Sequence, residues 1–168
     1  MCDASGLSPA AYLDRVVAAA REVDPAEVDA LVEAIAEAYR AGRFVFIIGN
    51  GGSGANASHL CEDLGKGTLT DFEGQMRLKA LSLTDNAAYL LAWGNDTHFD
   101  RVFVEQLRNL GGPGDLLIAI SGSGNSPNVL GAVEYANEHG MRTFAATGFD
   151  GGRLRKMAHA YLPNALQP

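Results

Sequence analysis

Cysteine is scarce in this sequence, with only Cys2 and Cys61 among 168 residues and no CxxC or metal-type spacing between them. A disulfide framework is excluded as the source of stability, and a reducing compartment such as the cytoplasm is the expected location. Basic residues are also few: 13 Lys and Arg against 20 Asp and Glu give a formal net charge of -7 and a pI near 5.0. No global positive field draws the chain to nucleic acid or to an anionic membrane. Any anionic ligand must therefore be held by local backbone N–H groups, hydroxyls and a few cations. No uninterrupted apolar run is long enough to span a bilayer, and the amino end lacks the basic-then-apolar pattern of a secretion signal. Low-complexity tracts and fixed-period repeats are missing as well.

What is present is enough apolar residue, 47% of the chain, to build one compact core. The period of the pattern divides the chain into a helical pair over 8–41 and an α/β core over 42–168. Leu13, Val16 and Val17, then Val28, Leu31, Ile35 and Ala38, recur at helical spacing. Ser8-Pro9 and Asp24-Pro25 supply an N-cap followed by a first-turn proline for each helix. From Phe44 to Ile48 the residues are continuously apolar, as in a strand buried on both faces of a parallel sheet.

The alternation continues. Strands are predicted at Leu78–Leu83, Leu116–Ile120, Thr143–Thr147 and Ala160–Leu162. Helices are predicted at Ala55–Leu64, Asn86–Trp93, Phe99–Leu110, Pro127–His139 and Arg153–Ala158. The expected architecture is a three-layer αβα sandwich around a central, mainly parallel, five-stranded sheet.

Two strand-to-helix junctions carry matching chemistry: Gly49-Asn50-Gly51-Gly52-Ser53 and Ser121-Gly122-Ser123-Gly124-Asn125-Ser126. In an open parallel sheet these junctions lie at the carboxyl ends of the strands, where ligands bind. The following helices aim unpaired N–H groups at the opening, which suits a phosphate dianion. A tight turn with a cap explains one such loop by itself; two matched loops favour a ligand. Neither is GxxxxGK[ST] or GxGxxG, so nucleotide and dinucleotide fingerprints are unsupported and sugar phosphate is the better substrate class.

Behind the first loop, His59 and Asp63 are four residues apart and share a helix face, with Glu62 turned away from them. They are candidate acid-base groups, although a lone helical carboxylate or histidine is ordinarily a surface residue. Lys66, in Gly65-Lys66-Gly67, is either a cation for substrate oxygens on a mobile segment or a helix-end lysine answering the dipole. Gly94-Asn95-Asp96 reads as a turn between helices, in which Asn95 and Asp96 either bond sugar hydroxyls or make an Asx turn.

Taken together, Gly49-Asn50-Gly51-Gly52-Ser53, His59 with Asp63, Gly94-Asn95-Asp96 and Ser121 to Ser126 resemble the sugar-isomerase (SIS) domain family and, within it, the bacterial phosphoheptose isomerases. The resemblance runs from the paired N-terminal helices almost to Pro168. It implies a flavodoxin-like parallel sheet between helices and a homotetramer with the first helices packed between subunits. The implied activity interconverts sedoheptulose 7-phosphate and a glycero-manno-heptose 7-phosphate. Ser53, Ser121, Ser123 and Ser126 correspond to phosphate-holding serines, and Asn50 and Asp96 to site residues. Asp63 stands where the family has a glutamate base, one methylene longer. His59 matches a residue that, with the carboxylate and C-terminal groups, binds zinc in some members; no cofactor is otherwise required. The resemblance also implies a histidine on a C-terminal helix, and none of His98, His139 and His159 holds that position. A non-catalytic SIS module, either a sugar-phosphate sensor or an adaptor for a replication initiator, is the alternative: such relatives keep the phosphate loops and lack the acid-base pair.

Overall fold

A computed structural model describes residues 8–163; Cys2 and Gln167 lie outside them. The chain opens with α1 (Pro9–Arg21) and α2 (Pro25–Arg40), whose amino ends are closed by the Ser8 hydroxyl and the Asp24 carboxylate as the sequence predicts. Five strands follow, β1 (Phe44–Gly49), β2 (Lys79–Ser82), β3 (Leu116–Ser121), β4 (Arg142–Thr147) and β5 (Ala160–Pro163). They form one sheet in the order β2-β1-β3-β4-β5, with every pairing parallel. The expected three-layer fold is present.

The central strands β1, β3 and β4 are buried on both faces because their apolar residues alternate between two cores, whereas the edge strand β2 is largely exposed. Phe46 and Ile48 of β1 and Leu117 and Ala119 of β3 point to one side. There they meet α5 (Val104–Leu110), α6 (Pro127–Glu138) and α7 (Leu154–Met157) through Leu107, Val129, Val133 and Leu154. Val45, Ile47, Leu116, Ile118 and Phe144 face the other side, toward α2 and α3 (Gly52–Glu62) through Ala34, Ala38 and Ala57. This two-sided burial is the physical reason the strands read as unbroken apolar runs.

Three expected elements differ. Helix α3 begins at Gly52, inside the glycine loop, and its end passes at Asp63–Gly67 into a π-helical turn. The single helix expected over Phe99–Leu110 is a 3₁₀ turn at Phe99–Arg101 followed by α5. The turn expected at Gly94-Asn95-Asp96 is the last part of α4 (Ala87–Asp96), which ends where the Thr97 hydroxyl donates to the Trp93 carbonyl, 2.6 Å away.

Candidate functional site

The strand order reverses direction between β1 and β3, the switch point at which open α/β sheets bind ligands. Gly49 is in register with Ile120, so the residues that follow each, Asn50 and Ser121, start two loops side by side. The first loop leads into α3 and the second into α6. Among the described residues five helices have ten residues or more, and three of these cap their amino ends with a side chain: Ser8 on α1, Asp24 on α2 and Asn86 on α4. The other two, α3 and α6, have no side-chain cap, and they are the two aimed at the switch point. In their first turns the N–H groups of Ser53 and Gly54 donate to the Asn50 carbonyl and that of Val129 to the Ser126 carbonyl and Asn128 Oδ1, which leaves those of Gly52 and Asn128 for something else.

The serines gather around this opening unevenly. Ser121 is buried and its Oγ lies 3.4 Å from that of Ser126, the residue at the start of α6. Because the Ser126 hydroxyl does not cap its own helix, it remains available to a ligand. Ser123 is exposed and its Oγ accepts from the Asn125 backbone N–H at 3.2 Å. Gly52 is exposed at the first position of α3.

Clefts open on either side of the loops. One of about 280 Å³ is lined by Asn50, Gly51, Ser58, Thr84, Leu90 and Phe99. The other, about 560 Å³ and more apolar, is lined by Ser53, Asn56, Gly122, Thr147, Phe149 and Leu162 among others.

The pair predicted from helical spacing is formed: His59 Nε2 and Asp63 Oδ2 are 3.4 Å apart, with both side chains more than half exposed. They stand on the outer flank of α3 and line neither cleft. Lys66 belongs to the π-helical turn, where its Nζ lies 3.9 Å from Glu62 Oε1, so the expected segment reaching over the site is a folded turn with its own ion pair. Asn95 and Asp96 are exposed and bond each other, Asn95 Nδ2 donating to Asp96 Oδ1 at 2.8 Å; they too line neither cleft. Two other histidines have structural partners. His139 stacks on Tyr135 with ring centroids 3.8 Å apart, and His159 Nδ1 accepts from the Thr143 N–H at 3.1 Å.

Zinc takes four ligands as a rule, of which at least three come from protein. Among the described residues no group of three or more His, Cys, Asp or Glu side chains is arranged to hold a metal, so His59 and Asp63 provide two donors and lack a third. These residues alone do not fit a zinc site.

Sequence reasoning missed two features. Asn128, only 2% exposed, exchanges two side-chain hydrogen bonds with Asn50. Ser58, Thr84 and Asp85 form a hydroxyl–carboxylate cluster at the edge of the smaller cleft. In it Ser58 Oγ donates to Asp85 Oδ1 and lies 3.2 Å from Thr84 Oγ1. The signal for the second was available, since Thr84 and Asp85 lie between β2 and α4, just past Leu83, and thus occupy a third strand-to-helix junction. Asn128 lies outside any glycine pattern, and only its depth in the fold distinguishes it.

Comparison with known proteins agrees with this geometry. The SIS domain family matches residues 10–148. A phosphoheptose isomerase of Geobacter sp. is 40% identical over 149 residues, covering 88% of this chain and 75% of that protein. Among solved structures, the phosphoheptose isomerase of Neisseria gonorrhoeae aligns with a TM-score of 0.79 and 34% identity, covering 95% of this chain and 85% of the other. That of Francisella tularensis gives 0.81 and 32%, over 93% and 81%. The chain therefore belongs to the SIS domain family and, within it, to the phosphoheptose isomerases.

Proposed function

We propose that the protein interconverts sedoheptulose 7-phosphate and D-glycero-D-manno-heptose 7-phosphate by acid-base catalysis through an enediol. The observation that carries this reading is the pair of uncapped helices, α3 and α6, converging with Ser121 and Ser126 on the β1/β3 switch point. The N–H group of Gly52, with the hydroxyls of Ser53, Ser121, Ser123 and Ser126, binds the phosphate dianion there. Asn50 bonds the sugar chain, and Asn95 and Asp96 join it once the site is complete.

Isomerisation removes a proton beside the carbonyl and returns one to the neighbouring carbon. Asp63 is the base, and His59, 3.4 Å away, is its acid-base partner on the preceding turn. His59 stands six positions after Ser53, about 9 Å along a helix axis, a span that a phosphorylated seven-carbon chain can bridge.

An enediol must be kept from bulk water, yet His59 and Asp63 are open on the isolated chain. Helices α1 and α2 also expose Leu13, Val17 and Val32 at 62%, 49% and 57%. We read both facts together: copies of the chain pack through α1 and α2 into the homotetramer that the family resemblance implies, and packing encloses the sites.

The test is solvent-proton exchange. Incubation with sedoheptulose 7-phosphate in D₂O is expected to form aldose and to introduce deuterium beside the carbonyl, followed by NMR. Neither product nor deuterium would overturn the isomerase reading.

A further inference from the structure

We propose that Asn128 is a positioning residue for this reaction: through a reciprocal amide pair it holds Asn50, and with it the first glycine loop, in fixed register with the amino end of α6.

Asn128 is the second residue of α6, after Ser126 and Pro127, and is 2% exposed. Its Nδ2 donates to Asn50 Oδ1 at 2.8 Å, and its Oδ1 accepts from Asn50 Nδ2 at 2.9 Å. The same Oδ1 also accepts from the Val129 backbone N–H at 3.0 Å. That third bond settles the orientation of both amides. A backbone N–H can only donate, so Asn128 must turn its oxygen toward it, and Asn50 must then answer with nitrogen facing oxygen and oxygen facing nitrogen. A buried amide whose partner is withdrawn loses free energy rather than finding water, so the pair has one favoured arrangement.

The pair joins the two halves of the anion cradle. The Asn50 carbonyl accepts from the N–H groups of Ser53 at 3.0 Å and Gly54 at 3.3 Å, which makes it the origin of the first turn of α3. Asn128 lies in the first turn of α6. Side-chain bonds between them span 78 residues of sequence and tie the two uncapped helix ends together across the switch point. With one Nδ2 hydrogen and one Oδ1 lone pair committed to Asn128, Asn50 turns its remaining capacity toward the smaller cleft, which it lines. Asn128 lines neither cleft, so it acts only through Asn50 and the loop. Displacing such a support by about an ångström is enough to cost a large part of a rate or an affinity.

This inference rests on the reading that the two loops hold a sugar phosphate, and the experiment separates the two. Asn128→Ala, Asn128→Ser, Asn50→Ala and the double variant Asn50→Ala/Asn128→Ala are compared with the unaltered protein. The measurements are kcat, KM for sedoheptulose 7-phosphate, the inhibition constant of inorganic phosphate, and the thermal midpoint. The serine variant keeps an oxygen at the buried helix start but cannot reciprocate the amide, and it stands in if the alanine variant fails to fold. Removing Asn128 is expected to raise KM and the phosphate inhibition constant by about tenfold. Pairing further requires that the double variant be no worse than Asn50→Ala, because residues acting through one another are non-additive. A lower thermal midpoint with unchanged KM and phosphate inhibition reduces Asn128 to a structural residue and overturns the proposal; multiplicative effects overturn it equally. An unaltered protein that neither converts the sugar nor binds phosphate removes the functional reading as well.

Discussion

His59 Nε2 lies 3.4 Å from Asp63 Oδ2 across the helical turn that joins α3 to the π-helical segment, on a flank where neither residue lines a cleft. Since the base must take a proton from carbon, Asp63→Asn is expected to lower kcat by about 10² to 10⁴. Phosphate inhibition should persist, because the proposed anion cradle begins more than a turn away from Asp63. Asp63→Glu should retain turnover, since a carboxylate remains and its added methylene gives the length the family resemblance assigns. Equal loss in both variants would remove Asp63 as the base. Steady-state kinetics with phosphate as competitor decide the matter.

Ser121 and Ser126 are placed differently from Ser123, and on the proposed reading they should differ in their effect on phosphate. The first two bring hydroxyls within 3.4 Å of each other, and Ser121 is 5% exposed, whereas Ser123 is exposed and engaged with Asn125. A hydrogen bond to a charged group is worth about 1.5–3 kcal/mol, so Ser121→Ala should weaken phosphate by roughly ten- to a hundredfold. Ser123→Ala should cost less. Thermal midpoints with and without phosphate check this: the rise produced by ligand should shrink most for Ser121→Ala.

The sheet was legible because burial on both faces leaves a plain mark, an unbroken run such as Phe44 to Ile48 that only a central strand needs. The two serine loops were legible for a related reason: glycine and serine between a strand and a helix cannot serve a core. Boundaries inside polar helices were less visible. Gly94-Asn95-Asp96 has the composition of a turn, yet α4 carries through it because Gly94 packs under Phe99 and Val102, and tertiary contact outweighs propensity. Asn50 with Asn128 was invisible for a deeper reason. Two asparagines 78 residues apart become a pair only when β1 and β3 are neighbours, and no local pattern records that adjacency.

Two loop glycines give opposite expectations. Gly51 has φ 54° and ψ −121°, outside the left-handed helical region, with nothing within 4 Å of where a Cβ would lie, so Gly51→Ala should cost only its backbone strain, about 1–3 kcal/mol. Gly124 has φ 63°, and its Cβ would fall 2.0 Å from the Gly151 carbonyl oxygen. Backbone strain and overpacking then add, and Gly124→Ala should cost about 2–5 kcal/mol. Denaturant unfolding of the two variants should show this ordering. Similar midpoints would mean that the contact between the second loop and the β4–α7 connection is not tight.

Cys61 provides a pH test of the packing behind α3. Burial pushes its thiol up, and the nearby Asp85 charge adds to this, against a smaller opposing contribution from a Ser82 backbone hydrogen bond. A thiol whose folded pKa is raised stabilises the fold while it stays protonated in both states. As pH rises through the unfolded value, near 8.5, the unfolded chain ionises first and that stability declines. With Cys2 replaced by serine to leave one thiol, alkylation by iodoacetamide at pH 8 should be slower in the folded protein than in the urea-unfolded chain. The thermal midpoint should fall faster above pH 9 than in a Cys61→Ala variant. Equal alkylation rates in the two states would show that Cys61 is open to solvent and that α3 does not seal against β2.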